Sequence, residues 1–211
     1  MTAPVRTPST SALQRAVAFE LGIWRSLWRW LLRRTDVPDG AEAFSYHRMA
    51  TPVMWLWIFG SAVEIVAVDA LLPWHTARIL AGALGLWGLA WMIGMLGALS
   101  AHPHLVDELG VRVRNGFSVD LRVPWAAVAS VTVQDHDLPS SMRSVQVERT
   151  EQGDVLAVGV SGRTNVLVRL REPTAFSTTR GEHVVTGLRL WADEQRSLVA
   201  RVRDSVAATP R

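Results

Sequence analysis

The chain predicts a membrane α + β protein: a two-helix transmembrane hairpin followed by an antiparallel β domain, a barrel or sheet, closed by a C-terminal helix. Three observations carry this. Ile79 to Leu99 contains no polar side-chain group except the indoles of Trp87 and Trp91, and about 18 such residues suffice for a helix that crosses a bilayer. Just before it, Val53 to Leu72 is apolar except at Gly60, Ser61, Glu64 and Asp69. From His102 onward the pattern changes from continuous apolar runs to alternation, the signature of half-buried strands.

The average composition conceals this division. The 211 residues carry 22 basic and 19 acidic side chains, a net charge of +3, and no cysteine. Every basic residue is Arg and the one tyrosine is Tyr46. Little therefore titrates between His and Arg, and a small excess of charge lifts the isoelectric point to about 10.7. That value does not call for nucleic acid, and no recognition helix or basic-aromatic platform is readable. Without Cys, disulfides, thiolate catalysis, iron–sulfur clusters and Cys-type zinc sites are excluded. Residues 1–50 hold seven Arg against four acids, whereas residues 101–211 hold fourteen against thirteen. The basic excess thus sits ahead of the first span.

Residues 1–10 are rich in Pro, Thr and Ser and are expected to be disordered. No signal peptide is readable, because the following apolar stretch is broken by Arg15, Glu20, Arg25 and Arg29. Residues 11–50 are read as an amphipathic helix and a linker. On a helical projection Leu13, Val17, Leu21, Trp24, Leu27, Trp28, Leu31 and Leu32 share an arc of about 140° with Arg15, Arg25, Arg29 and Arg33 opposite. Such a helix suits the interface of an anionic leaflet, the alternative being packing on the C-terminal domain or on a second copy of the chain.

The hairpin occupies residues 51–101, with spans at about 53–72 and 79–99. Trp55, Trp57 and Trp74 lie near the ends of the first span, where indoles favour the headgroup zone. Arg33, Arg34 and Arg48 precede the hairpin and Arg112 and Arg114 follow it, against Arg78 alone in the connection. The positive-inside rule then places both termini in the cytoplasm, and the absence of Lys beside abundant Arg, Ala, Gly and Val, which suggests a GC-rich coding sequence, makes a bacterial inner membrane the expected location.

Residues 102–211 are read as the β domain. Val111–Arg114 and Ser118–Val123 alternate around Asn115-Gly116, the preferred pair for a two-residue type I′ hairpin. Further strands are expected at 128–134, 145–149, 155–160, 166–170 and 184–190, separated by turns such as Glu151-Gln152-Gly153-Asp154 and Ser161-Gly162-Arg163. The last element, Asp193 to Val206, changes to a helical period, with Leu198, Val199, Val202 and Val206 in one stripe and Asp193 as the cap.

Leu109-Gly110-Val111-Arg112-Val113-Arg114-Asn115-Gly116, a second strand, and then Arg122-Val123-Pro124-Trp125-Ala126-Ala127-Val128-Ala129-Ser130-Val131 resemble the opening of the bacterial pleckstrin-homology-like (PH-like) domains of small membrane proteins. These usually show two strands around a glycine turn and then a Pro-Trp step into the next strand. A two-span hairpin directly before the domain is also their usual layout. The resemblance covers residues 51 to 205; the N-terminal amphipathic segment is outside it. It implies a membrane-tethered, non-enzymatic binding or scaffolding module, without catalytic residues.

Among candidate sites Glu64 stands out. It lies about 2 Å from the centre of its span, where an ionised carboxylate is costly and an intramembrane acid is a functional hypothesis by default. Gly60 and Ala67 share its face, so it is expected to point at the small-residue stripe Ala90, Gly94, Ala98 of the second span. Proton or cation handling competes there with a protonated Glu making one interhelical hydrogen bond. Asp69, nearer the outer end, is expected to reach interfacial water.

His102 and His104 with Asp107 and Glu108 have metal-ligand chemistry, but read better as a polar turn around Pro103. His136, flanked by Asp135 and Asp137, reads as a loop. Arg112, Arg114, Arg122, Arg169 and Arg189 alternate along strands and form either a phosphate-binding face or a solvated, paired one; the matching number of acids favours pairing. No P-loop, G-x-S-x-G, H-E-x-x-H or dinucleotide glycine run is present. The expected partners are the lipid bilayer and another membrane protein or a second copy of the chain. No enzyme activity, cofactor, metal, nucleic acid or small-molecule substrate is expected, and the rival reading is a small transporter or channel subunit using Glu64.

Overall fold

Proline sets the ends of the hairpin helices in the computed structural model, which describes residues 12–32, 36–116, 118–141, 143–178 and 181–208. Helix α2 (Thr51–Leu71) begins with Pro52 in its first turn, where no N–H is needed, and stops at Leu72, held extended by Pro73. Helix α3 (His75–Ala101) ends two residues before Pro103. Helix α2 starts two residues before its predicted span and ends one residue short of it, α3 extends beyond its span at both ends, and both are long and apolar enough to cross a membrane. They run antiparallel, with Ile65 over Gly85. An ideal Cβ on Gly85 would lie 2.6 Å from Ile65 Cγ1, so the glycine is what permits the close approach. Little of either helix is buried by protein.

The amphipathic helix forms as α1 (Ala12–Leu31). It packs lengthwise on α3, the most extensive helix–helix contact in the chain. The face it buries is not the predicted apolar stripe. Ile23 (0% exposed) and Ser26 are buried, whereas Val17, Leu21, Trp28, Leu31 and Leu32 remain outside. Glycine again explains the seat: a Cβ at Gly94 would meet Ile23 Cγ2 at 2.7 Å and Leu27 Cβ at 3.4 Å. The expectation of disorder for residues 1–10 lies outside the described residues.

The β domain is two sheets around one core rather than a closed barrel. The first has the order β1 (Glu42–Phe44), β2 (His104–Asp107), β3 (Gly110–Asn115), β4 (Val119–Pro124), all antiparallel. The second has the order β5 (Val128–Asp137), β8 (Arg163–Thr178), β9 (Gly181–Leu190), β7 (Gly153–Val158), β6 (Val145–Thr150). Its β7–β9 pair is parallel, so this sheet is mixed and not purely antiparallel as predicted. Val111, Val113, Leu121 and Val123 of the first sheet meet Val131, Leu156, Val168 and Leu188 of the second, and helix α4 (Gln195–Ala208) adds Leu198, Val199 and Val202 to the same cluster. The Pro124-Trp125 step is where the chain leaves one sheet for the other. A single 3-10 turn, Trp125–Ala127, redirects it, with the Trp125 indole donating to the Asp107 carbonyl at 3.2 Å.

Two turns match their sequence and one does not. Ser161 and Gly162 have φ of +51° and +77°, and Val160 and Arg163 exchange both backbone hydrogen bonds, the two-residue primed geometry. Thr150 pairs with Gly153 around Glu151-Gln152. Asn115, however, pairs with Val119, so the predicted two-residue hairpin has a three-residue loop, 116–118. Asp193 also has another task than capping: its carboxylate accepts from the Arg48 backbone N–H (3.1 Å) and the Trp191 indole (3.3 Å).

The segment between α1 and α2 is part of the domain. Strand β1 adds to the edge of β2, and the Asp193 backbone N–H donates to the Ser45 carbonyl at 2.9 Å. Ion pairs join Arg48 to Glu194 and Glu42 to Arg201. Residues 42–48, sequence neighbours of the two long apolar helices, are thereby stitched to the far end of the chain.

Candidate functional site

Two polar regions stand out, one between the long helices and one where they meet the β domain. The first is a cleft of about 770 Å³ whose lining includes Glu20, Ser61, Glu64, Trp87 and Trp91. Glu20 reaches it from α1. One of its carboxylate oxygens accepts from the Trp24 indole (3.1 Å) and the other from the Trp91 indole (3.2 Å). Glu64 opens into the same cleft from α2 and is exposed. The predicted neighbour of Glu64 is therefore corrected: Gly94 of the small-residue stripe is occupied by α1 through Ile23 and Leu27. Asp69 does not stand alone in interfacial water, since its carboxylate pairs with Arg78 at 3.1 Å across the hairpin connection.

The second region is buried and surrounds His104 (1% exposed). Its Nδ1 accepts from the Arg114 backbone N–H at 3.0 Å, and its Nε2 lies 2.9 Å from the Trp191 carbonyl. A backbone N–H can only donate and a carbonyl can only accept, so the ring is the neutral Nε2–H tautomer. Burial supports this, lowering the His104 pKa from 6.5 to about 4. Tyr46 covers the imidazole, with ring centroids 4.7 Å apart and planes 30° from parallel, and its hydroxyl accepts from the Gly116 N–H at 2.6 Å. Burial raises the phenol pKa, so it stays protonated.

Arg114 completes the node. Its guanidinium donates to the Asp36 carbonyl (2.8 Å) and carboxylate (3.2 Å), while the Asp36 backbone N–H donates to the carbonyl of Ala101, the last residue of α3. Burial lowers the Arg114 pKa, and Asp36 supplies the compensating charge. The α1–α2 linker, the end of α3 and the β3–β4 hairpin thus converge on one set of hydrogen bonds.

The other sequence candidates prove structural. His104 is the first residue of β2 and not a turn, and the Asp107 carboxylate accepts the N–H groups of Leu109 (2.8 Å) and Gly110 (3.1 Å) and pairs with Arg122 (3.0 Å). His102 donates from its Nδ1–H to the Ala98 carbonyl, one turn back, at 3.0 Å. Among the described residues no group of three His, Asp or Glu side chains could hold a metal. His136 is in strand β5, not a loop, and pairs with Glu148 (3.0 Å), which also approaches Arg189 (3.8 Å). The expected arginine face is only partly one solvated surface: Arg112 grips Asp120 bidentately, a hydrogen bond that raises the Arg112 pKa and lowers that of Asp120, and Arg169 donates to the neutral Gln152, while Arg114 and Arg189 are buried.

Sequence reasoning missed two contributors. Glu20 appeared only as an interruption of an apolar stripe, although its position in the middle of a helix with Trp24 four residues on is a usable signal. Tyr46, as the lone tyrosine beside a linker, carried none. Outside these regions, a groove of about 800 Å³ between β5, the Trp125 turn and α4 is lined by apolar residues with Arg171 and Arg203, the latter donating to the Val131 carbonyl at 3.1 and 3.3 Å. No known family, curated protein or solved structure matches the chain.

Proposed function

We propose that the chain is a membrane-anchored, non-enzymatic binding or scaffolding module, its β domain held on the cytoplasmic face of a bacterial inner membrane. The observation that carries this reading is the juxtamembrane stitching. A domain meant only to be tethered needs a flexible linker; here the linker supplies β1 and the Arg114–Asp36, Arg48–Asp193 and Arg48–Glu194 contacts, which fix the domain against the helices. Two helices whose apolar side chains are mostly left outside the protein support the membrane part, because exposed apolar surface on this scale requires lipid or protein to cover it. The partner is another membrane protein or a second copy of the chain.

The test is photo-cross-linking of the full chain in its native membrane, with the probe placed at Ser130 and, separately, at Val184 on the β domain. A discrete protein adduct from at least one position is expected. Lipid adducts alone, or none, would count against a protein-binding module.

A second reading, a small transporter or channel subunit using Glu64, is favoured by Glu20 lining the same cleft. Glu64→Gln removes the charge and Glu64→Leu the polarity. On the scaffold reading both retain the cross-linked adduct and neither lowers thermal stability, because each replaces an acid at a depth where a carboxylate is costly. Loss of the phenotype in both variants with stability unchanged would favour transport.

A further inference from the structure

The geometry points to α1 as a third membrane-crossing helix, running parallel to α3, with its Ala12 end on the side of the bilayer opposite the β domain. This rests on the reading of α2 and α3 as membrane spans. It replaces the expectation that the helix lies flat on the cytoplasmic leaflet and that both termini are cytoplasmic.

The direction follows from where the helices touch. Glu20 bonds Trp91, Ile23 and Leu27 straddle Gly94, and Asp36, just past the helix, bonds Ala101. Both sequence numbers increase together, so the helices are parallel. A helix lying in the membrane plane would cross α3 at a single level. Instead α1 packs lengthwise on α3, with Glu20 at Trp91 and Ile23 and Leu27 at Gly94, and the chain just beyond it, at Asp36, still bonds Ala101, about 15 Å further along the α3 axis than Trp91 at 1.5 Å per residue. With Gly94 level with residue 25, Ala12 lies level with about residue 81, close to the outer end of α3. The 20 residues of α1 measure about 30 Å, the thickness of the hydrocarbon core.

The side chains divide as this placement requires. The face toward α3 carries Ile23 and Ser26, and the face left bare carries Val17, Leu21, Trp28 (62% exposed) and Leu31 (64% exposed). That bare face is therefore matched to acyl chains. Charge placement agrees. Glu20, at the level of residue 89 in mid-span, has both carboxylate oxygens bonded to indoles, which offsets the cost of an acid at that depth. Arg25 and Arg29 are exposed and lie within the last two turns before the cytoplasmic end, near enough for their guanidinium groups to snorkel to headgroups. Hydropathy alone misses the span because these charges lower its average, and only α3 reveals its depth.

The native chain has no cysteine, so single-cysteine variants report without background. In the full chain, Ser9→Cys, His75→Cys and Val184→Cys are placed ahead of α1, at the hairpin connection and in the β domain. Sealed membrane vesicles of one orientation are treated with a membrane-impermeant maleimide before and after permeabilisation. The expected result is that Ser9→Cys and His75→Cys react from one side to the same extent and Val184→Cys from the other. Labelling of Ser9→Cys together with Val184→Cys, opposite His75→Cys, would overturn the proposal while leaving the two-span hairpin intact. If His75→Cys and Val184→Cys react from the same side, the two-span reading fails and the proposal with it. The same-side criterion holds whichever way the vesicles face. Gly94→Leu gives an independent check: it removes the seat of Ile23, and Ser9→Cys combined with it is expected to lose its His75-like labelling, whereas unchanged labelling would contradict packing on α3 as what holds α1 across the membrane.

Discussion

Gly110→Ala is expected to cost about 4 kcal/mol or more and to leave little folded protein at physiological temperature. Gly110 has φ +150°, and an added Cβ would lie 2.1 Å from the Val123 carbonyl oxygen and 2.9 Å from Pro124 Cα. Both obstacles are backbone of the paired strand, since Gly110 sits opposite Pro124 in the β3–β4 ladder. No side chain can move aside, so the strands must separate at the point where the chain turns into Trp125 and the second sheet. Gly40→Ala is the matched control. Gly40 has φ +81° but nothing within 4 Å of its would-be Cβ, so it carries only the conformational term of about 1 kcal/mol. Thermal unfolding of the full chain in detergent separates the two. Equal destabilisation would mean that the β3–β4 pairing at Gly110 is wrong.

His104→Leu is expected to cost about 2–4 kcal/mol, because it keeps the bulk but leaves the Arg114 N–H and the Trp191 carbonyl buried without their partner. The same residue gives the fold a pH dependence of defined sign. His104 is neutral in the folded chain down to about pH 4, whereas the unfolded residue protonates near 6.5. Between these values the unfolded state binds the extra proton, so stability is fully present above pH 6.5 and is lost as the pH falls toward 4, by about 3 kcal/mol at most. In His104→Leu this component vanishes and the stability curve flattens over that interval. The salt-bridged Asp120, whose pKa is also lowered, acts in the same direction at more acidic pH and persists in the variant. An unchanged slope in His104→Leu would place the titrating group elsewhere.

How far the sequence could be read depended on whether a feature is periodic or a matter of pairing at a distance. The two spans follow from uninterrupted apolar runs, and α4 from its stripe at Leu198, Val199 and Val202, all of which are buried. The strands at Val128, Val145 and Val166 follow from alternation. Strand β1 could not be seen, because three residues have no period and their partner, β2, is some sixty residues away in sequence. The outer half of the β8–β9 hairpin was obscured by Arg171, Glu172 and Pro173. These residues fall in the register shift between Arg169 and Thr174, where a proline disturbs no ladder bond, and pairing resumes from Thr174 to Thr178.

The candidate sites divide in the same way. Glu64 was legible from depth alone, but its neighbours were not, because helix seating is decided by glycines. Gly94 takes Ile23 of α1 and Gly85 takes Ile65 of α2, and no hydropathy pattern distinguishes one glycine's partner from the other's. The N-terminal helix shows the limit of amphipathic reading: Val17, Leu21, Trp28, Leu31 and Leu32 of the stripe face away from the protein, while Ile23, Ser26 and, from the stripe, Leu27 make the contact. His104, with the chemistry of a metal ligand in sequence, became a neutral hydrogen-bond bridge because both ring nitrogens meet backbone groups. Of the arginines expected to form a solvated, paired face, Arg112 and Arg122 pair with Asp120 and Asp107, whereas Arg114 and Arg189 are buried and Arg169 donates to the neutral Gln152.

The central claim is that α2 and α3 are lipid-embedded and carry a domain fixed to them, and its most direct test is alkaline carbonate extraction of membranes from cells producing the full chain. The account predicts that the protein remains with the lipid after the wash and is released only by detergent. Recovery of folded, monodisperse protein in the aqueous supernatant would contradict it, because the exposed apolar faces of both helices would then have to be covered by something other than a membrane.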